Sequence, residues 1–208
     1  MPTSEKLQWL LDREEIFDLV RSERFARDQG EFDRLAALYT PDSRVRVSWF
    51  TGTGKAFADA SRAVLASGLI SKHLVVPMKV EISGNRALVE SYGQVQSRDT
   101  VGGALTDLVA HCRFYSRVRR TAQGWRLASF DCIYQRDELK AVNPAQALPI
   151  DWTRLAELRP SYCFLIAIAE ARGYRIDHEL PGDDRPDLVA ALYREGAAWL
   201  STDEIGPE

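Results

Sequence analysis

Apolar positions recur at helical spacing through residues 5–29: Leu7, Leu10, Leu11, Ile16, Phe17, Leu19, Val20, Phe25 and Ala26, with charge dense on the opposite face. Gly30 closes this pattern, as suits a left-handed helix cap. "EFDRLAALYT" predicts a short second helix that ends before Pro41. "SRVRVSWF" alternates like a strand, "GTG" is a turn, and "KAFADASRAVLASGL" predicts a third helix closed by Gly68.

Four strand-like runs follow, at 73–82, 86–97, 105–119 and 125–137. "SGNR" and "TAQG" are tight-turn sequences between neighbours. Long strands joined by short turns predict a curved antiparallel sheet. Beyond it, "VNPAQALP" reads as a linker and "RPSYCFLIAIAEARG" as a helix with Pro at its start and Gly at its end. The last stretch predicts a loop and a final helix, with Asp184 as cap and Pro186 in the first turn. Helices with an early strand, then a meander, predict an α+β fold in which helices cover the sheet's concave face and leave a pocket between.

Composition narrows this picture. The 208 residues suit one domain with a terminal extension, and a net charge of −3 gives no reason to expect a nucleic-acid partner. "CFLIAIA" is too short to span a bilayer, and acidic residues stand where a signal peptide would need apolar ones. Cys112, Cys132 and Cys163 are odd in number and scattered, which fits free thiols in a reducing cytoplasm. There is no Walker-type phosphate loop, nucleophile elbow, dinucleotide fingerprint or metal-ligand spacing, so neither a metal nor a cofactor is expected.

The candidate chemistry centres on His73, at the head of the strand "HLVVPMKVEI". It is either a strand-end residue bonded to backbone or a general base, since imidazole suits proton abstraction near neutral pH. His111, in "LVAHCRFY", is either an outer-face residue or a second polar group in the pocket. Trp49, Phe50 and Tyr92 are either plain core or apolar surface for a ring-bearing ligand.

The words "DREEIFDLV", "RDQGEFDRLAALYTPDSRV", "SKHLVVPMKVEISGNRALVES" and "GWRLASFDCIYQRDEL", in this order, resemble the SnoaL-like branch of the NTF2-like superfamily over roughly residues 5–140. The resemblance implies a cystatin-like α+β barrel, a strongly curved and mostly antiparallel mixed sheet around a long N-terminal helix. Residues 1–140 would form that domain and 141–208 a helical extension on the core, the pocket mouth or a dimer partner. Many such proteins dimerise through the outer sheet face, and a homodimer or homotrimer is expected.

The branch's dehydratases and dehydrochlorinase are similar in using a His–Asp dyad without a cofactor. Its Asp lies at the end of the first helix, before a turn such as "GEFD", and its His opens the strand after the third helix; Asp28 and His73 occupy those positions. Tyr39 sits where relatives place a ring on the pocket wall, and His111 matches a second pocket histidine. Many relatives carry Tyr five residues before the Asp, where this chain has Glu23, read as part of a solvated helix face or as a second acid or base. The implied activity is a lyase that eliminates water, halide or formaldehyde from a hydrophobic, aromatic small molecule such as a lignin-derived diaryl diol. An isomerase, a polyketide-type cyclase and a non-catalytic binding module are the alternatives.

Overall fold

A computed structural model describes residues 3–202. Helix α1 (Thr3–Gln29) buries Ile16, Phe17, Leu19, Val20 and Ala26, the stripe expected from periodicity. Leu7, Leu10, Leu11 and Phe25 are exposed instead. The helix meets the sheet from Asp12 onward, where that carboxylate pairs with Arg120 and accepts from Trp125 Nε1 at 3.4 Å. Gly30 adopts φ +78°, and the backbone N–H of Glu31 closes the end by donating to Ala26 O at 2.9 Å.

Helix α2 (Phe32–Ala37), strands β1 (Tyr39–Val47) and β2 (Phe50–Gly52) and helix α3 (Gly54–Ala66) follow. The Thr53 side chain caps α3 by accepting from the N–H of Ala56 at 3.2 Å. The meander is longer than its sequence pattern: β3 (Ser71–Ser83), β4 (Arg86–Val101), β5 (Ala104–Thr121) and β6 (Gly124–Ala141). Six strands form one open mixed sheet in the order β2-β1-β6-β5-β4-β3, in which β1 runs parallel to β6. The strict pleat decides faces. Leu108, Ala110, Cys112 and Phe114 on β5 point into the core, while Val109, His111 and Arg113 point out. Gly93 has no substitute on β4, because a Cβ there would lie 2.1 Å from the Phe114 ring.

The C-terminal segment serves both faces. Helix α5 (Cys163–Ala171), preceded by α4 (Trp152–Ala156), lies on the inner side. It is held by the Asp137 carboxylate, which accepts from the Leu165 N–H at 2.8 Å, and by Tyr162 stacked on Tyr134 at 4.4 Å. Beyond the last β1 pairing at Asp131, residues around Gly182 pair with β6 at Tyr134 and lead the chain to the outer side. There α6 (Pro186–Ser201) packs Val189 and Leu192 on Leu88, Tyr115 and Ile133.

One local expectation is corrected. Asp184 does not cap α6; it receives Arg159 through Nε at 2.6 Å and Nη2 at 2.7 Å, and Ser161 Oγ at 2.7 Å, because this fork is a stronger partner than an exposed helix end. The basic run 113–120 is neutralised within the chain: Arg113 by Glu90 at 2.7 Å, Arg117 by Glu195 at 3.2 Å and Arg119 by Asp42 at 2.8 Å.

Candidate active site

The inner face of the sheet, α1, α3 and α5 enclose a cavity of about 120 Å³, measured as space open to the centres of water molecules. One water needs roughly 10–15 Å³ on that measure, so the cavity has room for a ring-sized molecule. Its walls are Trp49, Phe57, Leu108, Phe114, Phe130, Leu165 and Ile168, an apolar lining drawn from elements far apart in sequence. Charged groups and the imidazole enter at three places, Arg24 and Arg27 from α1, His73 beside Ser71 on β3, and Asp99 with Arg172 where β4 meets the end of α5, and Ser48, Ser97 and Tyr134 also line the cavity.

His73 and Asp28 meet at this cavity. The ring Nδ1 is 2.7 Å from Asp28 Oδ1, and the His73 backbone N–H donates to Oδ2 at 2.6 Å. Their side chains are 6% and 7% exposed. Arg27 fixes the neighbourhood by donating to Ser71 Oγ at 2.6 Å and the Ser71 carbonyl at 3.1 Å, and it lies 3.4 Å from Asp28 Oδ1. The last turn of α1 and the first residues of β3 are thus bound as one unit. This offsets the cost of a carboxylate near a helix C-terminus.

Burial raises the Asp28 carboxyl, but the hydrogen bonds and charge of His73 and the charge of Arg27 outweigh it and hold the group below the usual carboxylate range. Burial pushes His73 down to about 4; the bond to Asp28 opposes this, and the charges of Arg24 and Arg27 reinforce it. At neutral pH the pair is therefore carboxylate and neutral imidazole. An ionised carboxylate only accepts, so the imidazole proton sits on Nδ1 and Nε2 carries the lone pair.

One turn before Asp28 lies a second buried pair. Glu23 is 1% exposed, and both its oxygens are bound by Arg24 through Nε and Nη2. Tyr39 donates its phenol proton to Glu23 Oε1 at 2.7 Å. Burial disfavours the Arg24 cation, but the charge and hydrogen bonds of Glu23 more than restore it. The guanidinium lies over Phe130 at 4.3 Å and near Phe57 at 5.5 Å from the ring centres. The reading of Glu23 as a solvated face is corrected, since this face of α1 lies against the sheet.

The remaining site expectations divide. Trp49 lines the cavity. Phe50 lies behind that wall, 5.7 Å from Trp49 and 5.4 Å from Phe57 between ring centres. Tyr39 is buried on Glu23 rather than on the cavity. Tyr92 is 55% exposed on the outer face of β4, and His111 is outward on β5, 3.0 Å from Glu138. Neither reaches the cavity, because strand alternation turns both away from it. Arg24, Arg27, Phe57, Phe114, Phe130 and Arg172 were not anticipated. Arg24 had a readable signal, since it falls on the stripe of Phe17 and Val20 at i+7 and i+4.

Among the described residues, no group of three or more His, Cys, Asp or Glu is placed to hold a metal, and no helix is long and apolar enough to cross a membrane. All three cysteines are thiols.

A long helix wrapped by a curved mixed sheet, with a polar pair opening on an apolar cavity, defines a cystatin-like, NTF2-like α+β protein. The model of the SnoaL-like domain matches residues 8–131, and the chain belongs to that family. A PEP2-like protein of Fusarium vanettenii is 26% identical over 209 residues, covering 94% of this chain and 88% of the relative, so that likeness runs on into the C-terminal helices. Among solved structures, the Kfla4162 protein from Kribbella flavida superposes with a TM-score of 0.55 at 22% identity, over 62% of this chain and 93% of its own. A type 2 hexachlorocyclohexane dehydrochlorinase (LinA) gives 0.57 at 15% identity, over 69% and 98%. These two likenesses show the fold.

Proposed function

We propose that the protein is a cofactor-free lyase acting on a hydrophobic, aromatic small molecule by general acid–base proton transfer. The observation that carries this reading is the 2.7 Å contact of His73 Nδ1 with Asp28 at the wall of an apolar cavity. In this reading Nε2 of His73 removes a proton from carbon. Asp28 fixes the tautomer and steadies the imidazolium as it forms. The apolar walls thin the local water, so the carboxylate's charge acts with less screening. The electron pair left on carbon then expels hydroxide or halide from the neighbouring carbon, and the imidazolium can return its proton to a departing hydroxide. For formaldehyde release the same Nε2 instead takes the proton of a substrate hydroxymethyl group, and the C–C bond to that group breaks as its C=O forms. The freed electron pair expels a hydroxyl from the next carbon, which leaves as water with the imidazolium's proton.

Aromatic walls on several sides favour a ring-bearing substrate, with a lignin-derived diaryl diol as the example to try first. The C-terminal extension, residues 141–208, closes the cavity through α5 and braces the sheet through α6. The protein works as a homodimer through the outer face of β3 and β4, where Leu74, Val76, Met78 and Tyr92 form an exposed apolar strip.

The test is turnover of aryl β-hydroxy ketones and diaryl diols in deuterated water, with product masses recorded. Loss of a fragment identifies a lyase. Unchanged mass apart from deuterium uptake identifies an isomerase or cyclase working with the same pair. His73→Ala and His73→Gln should abolish turnover while the thermal midpoint stays near that of the wild type. Activity surviving in either variant rules out His73 as the base.

A further inference from the structure

Removing a proton from carbon leaves an electron pair that needs a place to rest, and neither His73 nor Asp28 offers one. The cavity contains a buried cation that proton abstraction does not use. Arg24 lies on its wall between the rings of Phe57 and Phe130, one helical turn from Asp28 and on the same face of α1. Glu23 takes its Nε and Nη2 and Tyr39 in turn donates to Glu23, so the guanidinium plane is clamped from behind. A guanidinium has five N–H donors, and Glu23 holds two of them. A residue needed only to neutralise Glu23 would have no cause to face the cavity, and the pair carries a desolvation cost that an apolar residue would avoid.

We propose that Arg24 is the subsite for a substrate oxygen that is anionic or becomes anionic during the reaction. This deepens the lyase reading and rests on it. It narrows the substrate class to ring compounds bearing a carbonyl oxygen conjugated with the carbon that loses its proton, such as aryl β-hydroxy ketones; halogenated hydrocarbons fall outside it. His73 Nε2 takes the proton, the C–H electron pair moves into the conjugated system, and the carbonyl carbon–oxygen bond loses double-bond character. The resulting enolate oxygen lies against Arg24. When the carbonyl re-forms, that electron pair expels the leaving group. Glu23 and Tyr39 are positioning residues that keep the guanidinium aimed.

The test reads binding and needs no turnover. The probes are 4-nitrophenolate, which presents a ring-borne oxyanion, and 4-nitrotoluene, its neutral counterpart of similar size, both followed by calorimetry and by quenching of tryptophan emission, to which Trp49 on the cavity wall contributes. The wild type should bind the phenolate at least about tenfold more tightly, as a charge-assisted hydrogen bond in a dry site requires, and the bound phenol should ionise at lower pH than the free one. Equal binding of the two probes by the wild type overturns the proposal.

The double variant Glu23→Gln with Arg24→Met removes both charges while leaving Tyr39 an acceptor. It should bind 4-nitrotoluene as before and lose the preference; a preference that survives overturns the assignment. Arg24→Lys keeps the ion pair, and its compact head should lower the preference severalfold. An unchanged preference there also counts against the proposal. His73→Ala should retain the preference. Its loss in that variant would move the oxygen subsite to the imidazole. If Arg24 fails these tests the lyase reading stands, and if turnover is never found the oxyanion preference can still be measured.

Discussion

Asp28 receives two donors from one residue: the His73 backbone N–H on Oδ2 at 2.6 Å and the His73 ring on Oδ1 at 2.7 Å. This double grip fixes the ring's rotation as well as its tautomer. Asp28→Asn keeps the shape but puts an amide donor against one of those two positions. Where it faces Nδ1, the imidazole proton moves to Nε2 and the lone pair leaves the cavity. We expect kcat to fall roughly 100- to 10,000-fold with KM little changed. Steady-state kinetics and ¹⁵N shifts of the imidazole check this. Unchanged kcat would mean that Asp28 is only a strand anchor.

The depressed His73 makes two statements about pH. As a base it should remain competent through neutrality, so kcat/KM should show its acid limb near 4 and not near 6.5. For stability the sign is set by the unfolded chain. Between 6.5 and about 4 the unfolded imidazole takes a proton that the folded one excludes, so stability falls as the pH falls through that window. The loss is on the order of 3 kcal/mol. Asp28, held below its ordinary value, adds a further loss at still lower pH. Urea midpoints of the wild type and His73→Gln, close to one another at neutral pH, should separate as the pH drops, the wild type falling below the variant. Parallel curves would contradict the buried neutral imidazole.

Leu192 on α6 is 1% exposed among Leu88, Tyr115 and Ile133, and no residue of α6 lines the cavity. Leu192→Ala should cost about 2–5 kcal/mol in chemical denaturation, while kcat and 4-nitrotoluene affinity at low temperature stay unchanged. A loss of ligand affinity without loss of stability would show that α6 acts on the inner site.

The strip of Leu74, Val76, Met78 and Tyr92 faces away from the cavity, with Val76 directly opposite Tyr92 in the sheet register. Val76→Asp should turn the proposed dimer into a monomer in light-scattering measurements, with the near-ultraviolet spectrum preserved. Tyr92→Ala should leave the affinity for cavity ligands as it is and weaken only association. A wild type that is monomeric at all accessible concentrations would remove the dimer, and lost ligand affinity in Tyr92→Ala would put that ring back at the site.

Local pattern made the order of elements legible. The stripe from Ile16 to Ala26, the left-handed Gly30 and the alternation in β4 and β5 each depend on neighbours within a few residues, and each is found in the structure. In β3 a bulge after Pro77 breaks the alternation, so that Leu74, Val76 and Met78 are exposed while Val80 and Ile82 pack on the core. Asp28 and His73 could be paired before any coordinates only because the chain resembles a family with that spacing. Nothing local announces that residues 45 positions apart share two hydrogen bonds.

By itself, then, the sequence determined the helices, the long meander and the alternation within β4 and β5, because periodicity and turn chemistry act over short range, whereas the bulges in β3 and β6 depend on the strands they pair with. Only the tertiary structure decided which parity faced the cavity, turning Tyr92 and His111 outward and Phe114 inward. It also buried Glu23 with Arg24 and sent the last helices to opposite sides of one sheet. Burial and long-range pairing are set by what packs across the fold, and that information is spread over the whole chain.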